Sequence, residues 1–243
     1  MTESVERILI LFIAAMATGG FVFAFPRLIR PQLKFMLAFS GAFLLGVAVL
    51  HILPEAYHLG GEQIGLFVIA GFLLQIMLEY LSGGIEHGHI HGNSQAGSGH
   101  HVISWTMLLS LVLHALTESM PLGFSDHGHS HVHDGYLWAI VIHKVPITIA
   151  LASLMVGLSV SRGQKVLFLL IFALAAPAGI LISPLISGGA NEQLVLANIM
   201  GVAGGIILHV STTILLEASE NHRFNLYKMM VILVGFSLAI LSS

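Results

Sequence analysis

The chain has 243 residues, of which 56 % are hydrophobic and 9 % charged, with a mean hydropathy of +0.92. No soluble domain has enough polar surface to cover that much apolar side chain, so the sequence predicts an all-α polytopic membrane protein whose exterior is covered by lipid. The net charge of −3 gives no footing for nucleic acid, and the absence of cysteine excludes disulfides and thiolate metal sites.

A hydrocarbon core of about 30 Å takes on the order of 20 apolar helical residues. Eight runs fit, near 8–25, 35–57, 64–82, 102–124, 136–160, 164–186, 193–216 and 226–242. The first follows an acidic start, Glu3 and Glu6, and reads as a retained span rather than a cleaved signal. Arg-Pro at 30–31, Gly-Gly at 60–61, Arg-Gly at 162–163 and Gly-Gly at 188–189 mark turns. Arg27, Arg30 and Lys34 follow span one, Arg162 and Lys165 follow span five, and Arg223 and Lys228 follow span seven. The loops after spans two, four and six lack Lys and Arg, which places both termini outside. Arg7 is the exception to that pattern.

Span two, GAFLLGVAVLHILPEA at 41–56, echoes span seven, AGGIILHVSTTILLEA at 203–218. Helices two and seven cross in opposite senses, so the echo fits an inverted repeat, with spans four and five left as the central pair. Residues 1–243 read as a single transmembrane domain with two flexible histidine-rich loops, 86–101 in the cytoplasm and 126–134 outside. His87, His89 and His91 in the first, and His127, His129, His131 and His133 in the second, are candidate weak metal ligands; solvated loops with incidental histidines are the alternative.

The ionisable residues inside the spans carry the chemistry. At 1.5 Å per residue, His114 lies roughly 18 Å and Glu118 about 24 Å above the inner surface, and His143 about 10 Å below the outer one. Those heights coincide. His114 with Glu118, and His51 with Glu55, are four residues apart and share a helical face, so each pair offers an imidazole nitrogen and a carboxylate oxygen. Such donors suit Zn²⁺, with Fe²⁺, Mn²⁺, Co²⁺ or Cd²⁺ as alternatives. A proton relay on the same residues, or histidines bonded to neighbouring helices, are the competing readings. Pro54, Pro121 and Pro146 lie near these groups and free backbone carbonyls there. Glu79 and Glu217, with Glu220 and His222, form a candidate inner exit, and His209 fits a pathway ligand or a helix contact equally.

His114-x-x-x-Glu118 followed by His143-Lys144-Val145-Pro146, with Leu-Pro-Glu at 53–55 and the loop histidines, resembles the ZIP metal-ion transporters, in their branch with His-Lys-x-Pro on the fifth helix. The resemblance covers essentially the whole chain. It implies a 3+2+3 inverted-repeat arrangement, metal import into the cytoplasm, and a site between spans four and five with His114, Glu118 and His143 as primary ligands. His51 and Glu55 are adjacent on the outer access route.

Members that hold two adjacent metals carry further donors where this chain has Ala115, Lys144 and Ile147. The ammonium of Lys144 would then substitute for the second metal beside Glu118. The alternative is that Lys144 snorkels to the outer interface, about 11 Å away.

The expected function is therefore zinc or divalent-metal transport with no organic cofactor. A membrane metal receptor or sensor without flux is the main alternative, and an intramembrane metallohydrolase the third, although no His-Glu-x-x-His is present. The expected partners are divalent ions and the bilayer, with a homodimer compatible and nucleic acid excluded. The small size favours a prokaryotic plasma membrane, with an intracellular eukaryotic membrane as the alternative.

Overall fold

The computed structural model describes residues 2–26, 33–82, 105–124, 130–157, 161–187, 191–217 and 226–242. Among them the backbone is helical throughout its ordered elements, as it must be where lipid offers no partner for N–H and C=O groups. Helix α1 covers Thr2–Ala24. Helix α2, Leu33–Val47, runs through a π-helical turn at Ala48–Ile52 into α3, Leu53–Gly60. A 3₁₀ turn at Gly61–Gln63 leads to α4, Ile64–Ser82. Helix α5, Trp105–Ser119, is continued by a 3₁₀ turn at Met120–Gly123. Then come α6 (Ser130–Gly157), α7 (Arg162–Ser187), α8 (Glu192–Glu217) and α9 (Leu226–Leu241).

Among the described residues, five stretches are helical, long and apolar enough to cross a membrane: Glu3–Ala24, Leu33–Ser82, Gly135–Gly157, Arg162–Ile186 and Glu192–Leu216. Leu33–Ser82 alone holds 50 residues and is broken at Gly61, whose φ of +69° only glycine adopts without strain. Large apolar side chains face outward along these helices and α9, among them Leu66, Leu185, Leu216 and Leu241. Such a surface fits an integral membrane protein. Tyr80, Trp105 and Tyr227 are exposed at helix ends, the usual place for amphipathic rings at a membrane interface.

Close glycine contacts set the helix directions. A Cβ at Gly71 would collide with the Val202 carbonyl, and one at Gly205 with the Val68 carbonyl, so α4 and α8 lie backbone to backbone; Gly201 beside Ile64 and Phe67, and His209 beside Phe72 further along both helices, show that they run parallel. Gly41 meets Ile214 while Gly204 meets Leu53, so α2–α3 run antiparallel to α8. Helix α4 therefore returns in the sense opposite to α2–α3. Helices α2 and α9 run parallel, with Gly46 against Ala239 and Gly235 against Phe39. The remaining main contacts join α1 to α6 and α7, α5 to α7, α2 to α6, and α5 to α4 and α8.

Prolines shape the helices as local chemistry requires. Pro54 has no N–H to offer one turn back, and the π turn just before it is closed by the Leu53 N–H donating to the Ala48 carbonyl. Pro184 leaves the Ile180 carbonyl without its helical donor, and Ser183 Oγ donates to it at 3.2 Å. Arg7, the cation on the wrong side by charge counting, is 5 % exposed and donates through Nη1 to the Leu122 carbonyl at 3.1 Å. It caps the end of the 3₁₀ turn instead of facing the aqueous phase.

Two helices begin earlier than the sequence reading places them: α1 at Thr2 rather than near 8, and α6 at Ser130 rather than near 136. The loop expected over 126–134 is shorter, because α6 begins at Ser130 and takes His131 and His133 into its first turn. Hydropathy locates only the apolar part of a helix, and a polar extension beyond the lipid leaves no trace in it. The side chains of those two histidines, residues 83–104 with His87, His89 and His91, and 125–129 with His127 and His129 lie outside the described residues.

Candidate metal centre

His114 and Glu118 stand one turn apart on α5, with His114 Nε2 3.2 Å from Glu118 Oε2. His143 reaches the same point from α6, its ring centroid 6.0 Å from that of His114. One donor atom from each lies within 4.8 Å of the others, and among the described residues this is the one group of three or more such donors. Their exposures are 1 %, 2 % and 0 %. The convergence is fixed from several sides. Tyr136 of α6 donates its hydroxyl to the Glu118 carbonyl, and Ser119 Oγ donates to the Ala176 carbonyl of α7 at 3.0 Å.

For a tetrahedral zinc with bonds near 2.1 Å, neighbouring donors stand about 3.4 Å apart. The His114–Glu118 separation already matches that edge, and no pair among the three exceeds 4.8 Å. Two imidazoles and a carboxylate leave the fourth position for water or a passing ligand, which is the arrangement of an open rather than a structural site.

Gln75 of α4, fully buried, places Oε1 3.0 Å from His114 Nδ1. The sequence reading missed it. Its signal was present all the same, because between Ile64 and Leu78 it is the single polar side chain of the helix. Lys144 is 1 % exposed and does not snorkel. Its Nζ lies over the Phe172 ring, 4.6 Å from the centroid, and has no hydrogen-bond partner among the described residues. It remains near enough to Glu118 for the two charges to interact.

The other sequence candidates are placed elsewhere. His51 sits in the π turn and contacts the Ala239 carbonyl of α9 through Nε2 at 3.1 Å. Neither it nor Glu55 joins the three-donor group. Glu79 and His209 meet between α4 and α8, Oε2 to Nδ1 3.4 Å, with the Phe72 ring against the imidazole at 4.9 Å between centroids. Glu217 closes α8, but its side chain, like Glu220 and His222, lies outside the described residues.

Residues 82–243 match the profile of the ZIP zinc transporter family. Zinc transporter ZIP1 of Danio rerio is 26 % identical over 268 aligned residues, covering 91 % of this chain and 86 % of that protein. Zinc transporter ZIP9 of Micropogonias undulatus is 30 % identical over 156 residues, 61 % of this chain and 49 % of its own length. Zinc transporter zipt-7.1 of Caenorhabditis briggsae is 25 % identical over 251 residues, 80 % and 64 % respectively.

Proposed function

Since the chain belongs to the ZIP zinc transporter family, a family of transporters and not of enzymes, we propose that it carries Zn²⁺ across its membrane into the cytoplasm through His114, Glu118 and His143. The observation that carries this reading is the meeting of three buried donors from two helices inside a lipid-facing bundle. Buried ionisable groups in a membrane are costly, and a dehydrated cation between them offsets that cost.

The chain is an integral membrane protein with helices that alternate in direction, and we read it as eight crossings with α2–α3 as one span and α5 with its 3₁₀ turn as another. The packing supports a 3+2+3 inverted repeat. Exchanging α1 with α7, α2–α3 with α8, α4 with α9 and α5 with α6 turns the α4–α8 contact into α9–α2, and α1–α6 into α7–α5. The two histidines of the sequence echo behave as counterparts under that exchange: His51 contacts α9, and His209 contacts α4.

In this reading metal is collected outside by the loop histidines with His51 and Glu55. It is held by the three central donors and released past Glu79, His209, Glu217, Glu220 and His222. Lys144 stands where a second cation would otherwise sit, leaving a one-metal site; its burial beside Glu118 supports that role. Fe²⁺, Mn²⁺, Co²⁺ and Cd²⁺ share the donor preferences and are alternative cargo. A prokaryotic plasma membrane and a homodimeric assembly complete the reading. Uptake of radioactive zinc by proteoliposomes holding the purified protein, with a zinc gradient and no nucleotide, tests it. Flux above empty liposomes is expected; binding without flux would leave a receptor and overturn the transporter.

A further inference from the structure

We propose that Gln75 is a positioning residue that decides which nitrogen of His114 faces the metal. The inference rests on His114 being a transport-site ligand and adds a third helix, α4, to the machinery. With the Gln75 oxygen toward the ring, as it stands 3.0 Å from His114 Nδ1, an amide oxygen only accepts, and the proton belongs on Nδ1. A neutral imidazole carries one such proton, and Nε2 is left with its lone pair. Nε2 is the nitrogen that lies 3.2 Å from Glu118 Oε2 and points into the three-donor group. The lone pair is thereby aimed before metal arrives.

The height of Gln75 is itself fixed. One turn further along α4, the Leu78 carbonyl accepts a hydrogen bond from Ser110 Oγ of α5. Residues 75 and 78 on one helix thus meet 114 and 110 on the other, and two contacts one turn apart hold the register. Both Gln75 and Ser110 are fully buried, so water does not compete for either bond.

The choice of amide over carboxylate has a physical reason. A glutamate at position 75 would also accept from Nδ1, but it would place a second negative charge next to Glu118 in a medium that screens poorly. Zinc would be bound more tightly and released more slowly. Glutamine orients the imidazole without that added charge, which suits a site that must let its ion go.

The test compares Q75M, which keeps the volume and loses the acceptor, with Q75E, which keeps the acceptor and adds charge. Zinc affinity of the detergent-purified protein should fall about 10- to 100-fold in Q75M, the range usual for loss of a ligand's outer partner. In Q75E affinity should rise while the maximal uptake rate falls, about tenfold each. A residue that merely fills space would not split affinity and rate in opposite directions. Shifts in the same direction, or none, would overturn the proposal while H114A still abolishes binding. Full zinc binding and uptake in H114A and E118A would instead remove the transport site itself. Nitrogen NMR of the ¹⁵N-imidazole of His114, assigned against H114A in zinc-free wild-type protein, needs no variant at position 75. The Nδ1–H tautomer is expected, and an Nε2–H tautomer would overturn the proposal.

Discussion

Two helices of this chain carry a histidine four residues before a glutamate with a proline nearby: His51 to Glu55 around Pro54, and His114 to Glu118 ahead of Pro121. By spacing alone the two pairs are equivalent half-sites. In the structure His114 and Glu118 face a third donor from α6 and a glutamine from α4, all buried. His51 lies in a π turn, which shifts the helical register by about 100° for one extra residue, and it contacts the backbone of α9. Spacing puts two side chains on one face. What that face meets is decided by the helices packed against it.

Four measurements break or sharpen that contrast. The largest effect is expected from the double variant H114A/E118A, which removes two of three donors; zinc uptake by proteoliposomes should drop to about 1 % of wild type or less. H51A should keep uptake within about threefold, because His51 shares the outer collecting role with other donors, stands outside the three-donor group and has a carbonyl as its described partner. Equal losses in both would erase the distinction drawn between the pairs.

The second measurement counts metal. Purified wild-type protein should hold one zinc between α5 and α6, and K144E, with a carboxylate in place of the buried ammonium, should hold two. Two ions in the wild type, or one in K144E, would remove Lys144 from its role as a second-cation substitute.

The third is thermal. Zinc at a hundredfold excess over its dissociation constant stabilises a binding-competent fold by about 2.7 kcal/mol. The melting temperature should therefore rise with zinc and fall with a chelator in wild type and H51A, and should be insensitive in E118A. A zinc-dependent rise in E118A equal to that of wild type would show that the stabilising site lies elsewhere. The smallest effect belongs to H51A without metal, a loss of about 1 kcal/mol for one part-buried contact to a carbonyl. A chemical-denaturation midpoint equal to wild type would mean that the His51–Ala239 contact contributes nothing to the fold.

Much of the site was legible in the linear text. Depth counting placed His114, Glu118 and His143 at one height because rise per residue is constant along a helix, and the structure brings those three together. Lys144 was legible as an anomaly but not as a buried group, since a lysine about 11 Å from the expected outer interface can equally reach it; the Phe172 ring from α7 gives it an interior position. Gln75 carried a weak signal, one amide in an apolar helix, and nothing in α4 itself indicates that it faces His114, 39 residues away. His209 was ambiguous for the same reason, and it lies against Glu79 because Gly71, Gly201 and Gly205 let α4 and α8 approach closely.

By itself the sequence determined the class of protein, the approximate limits of its apolar helices and which residue types stand at which height, because hydropathy and helical rise are local properties. Only the tertiary structure decided which of two identical His–Glu spacings gains a third donor, that Lys144 turns inward, and that an amide from α4 meets His114 on α5. Those outcomes depend on azimuth and on close approach between helices far apart in the chain, and neither is encoded in any single window of residues.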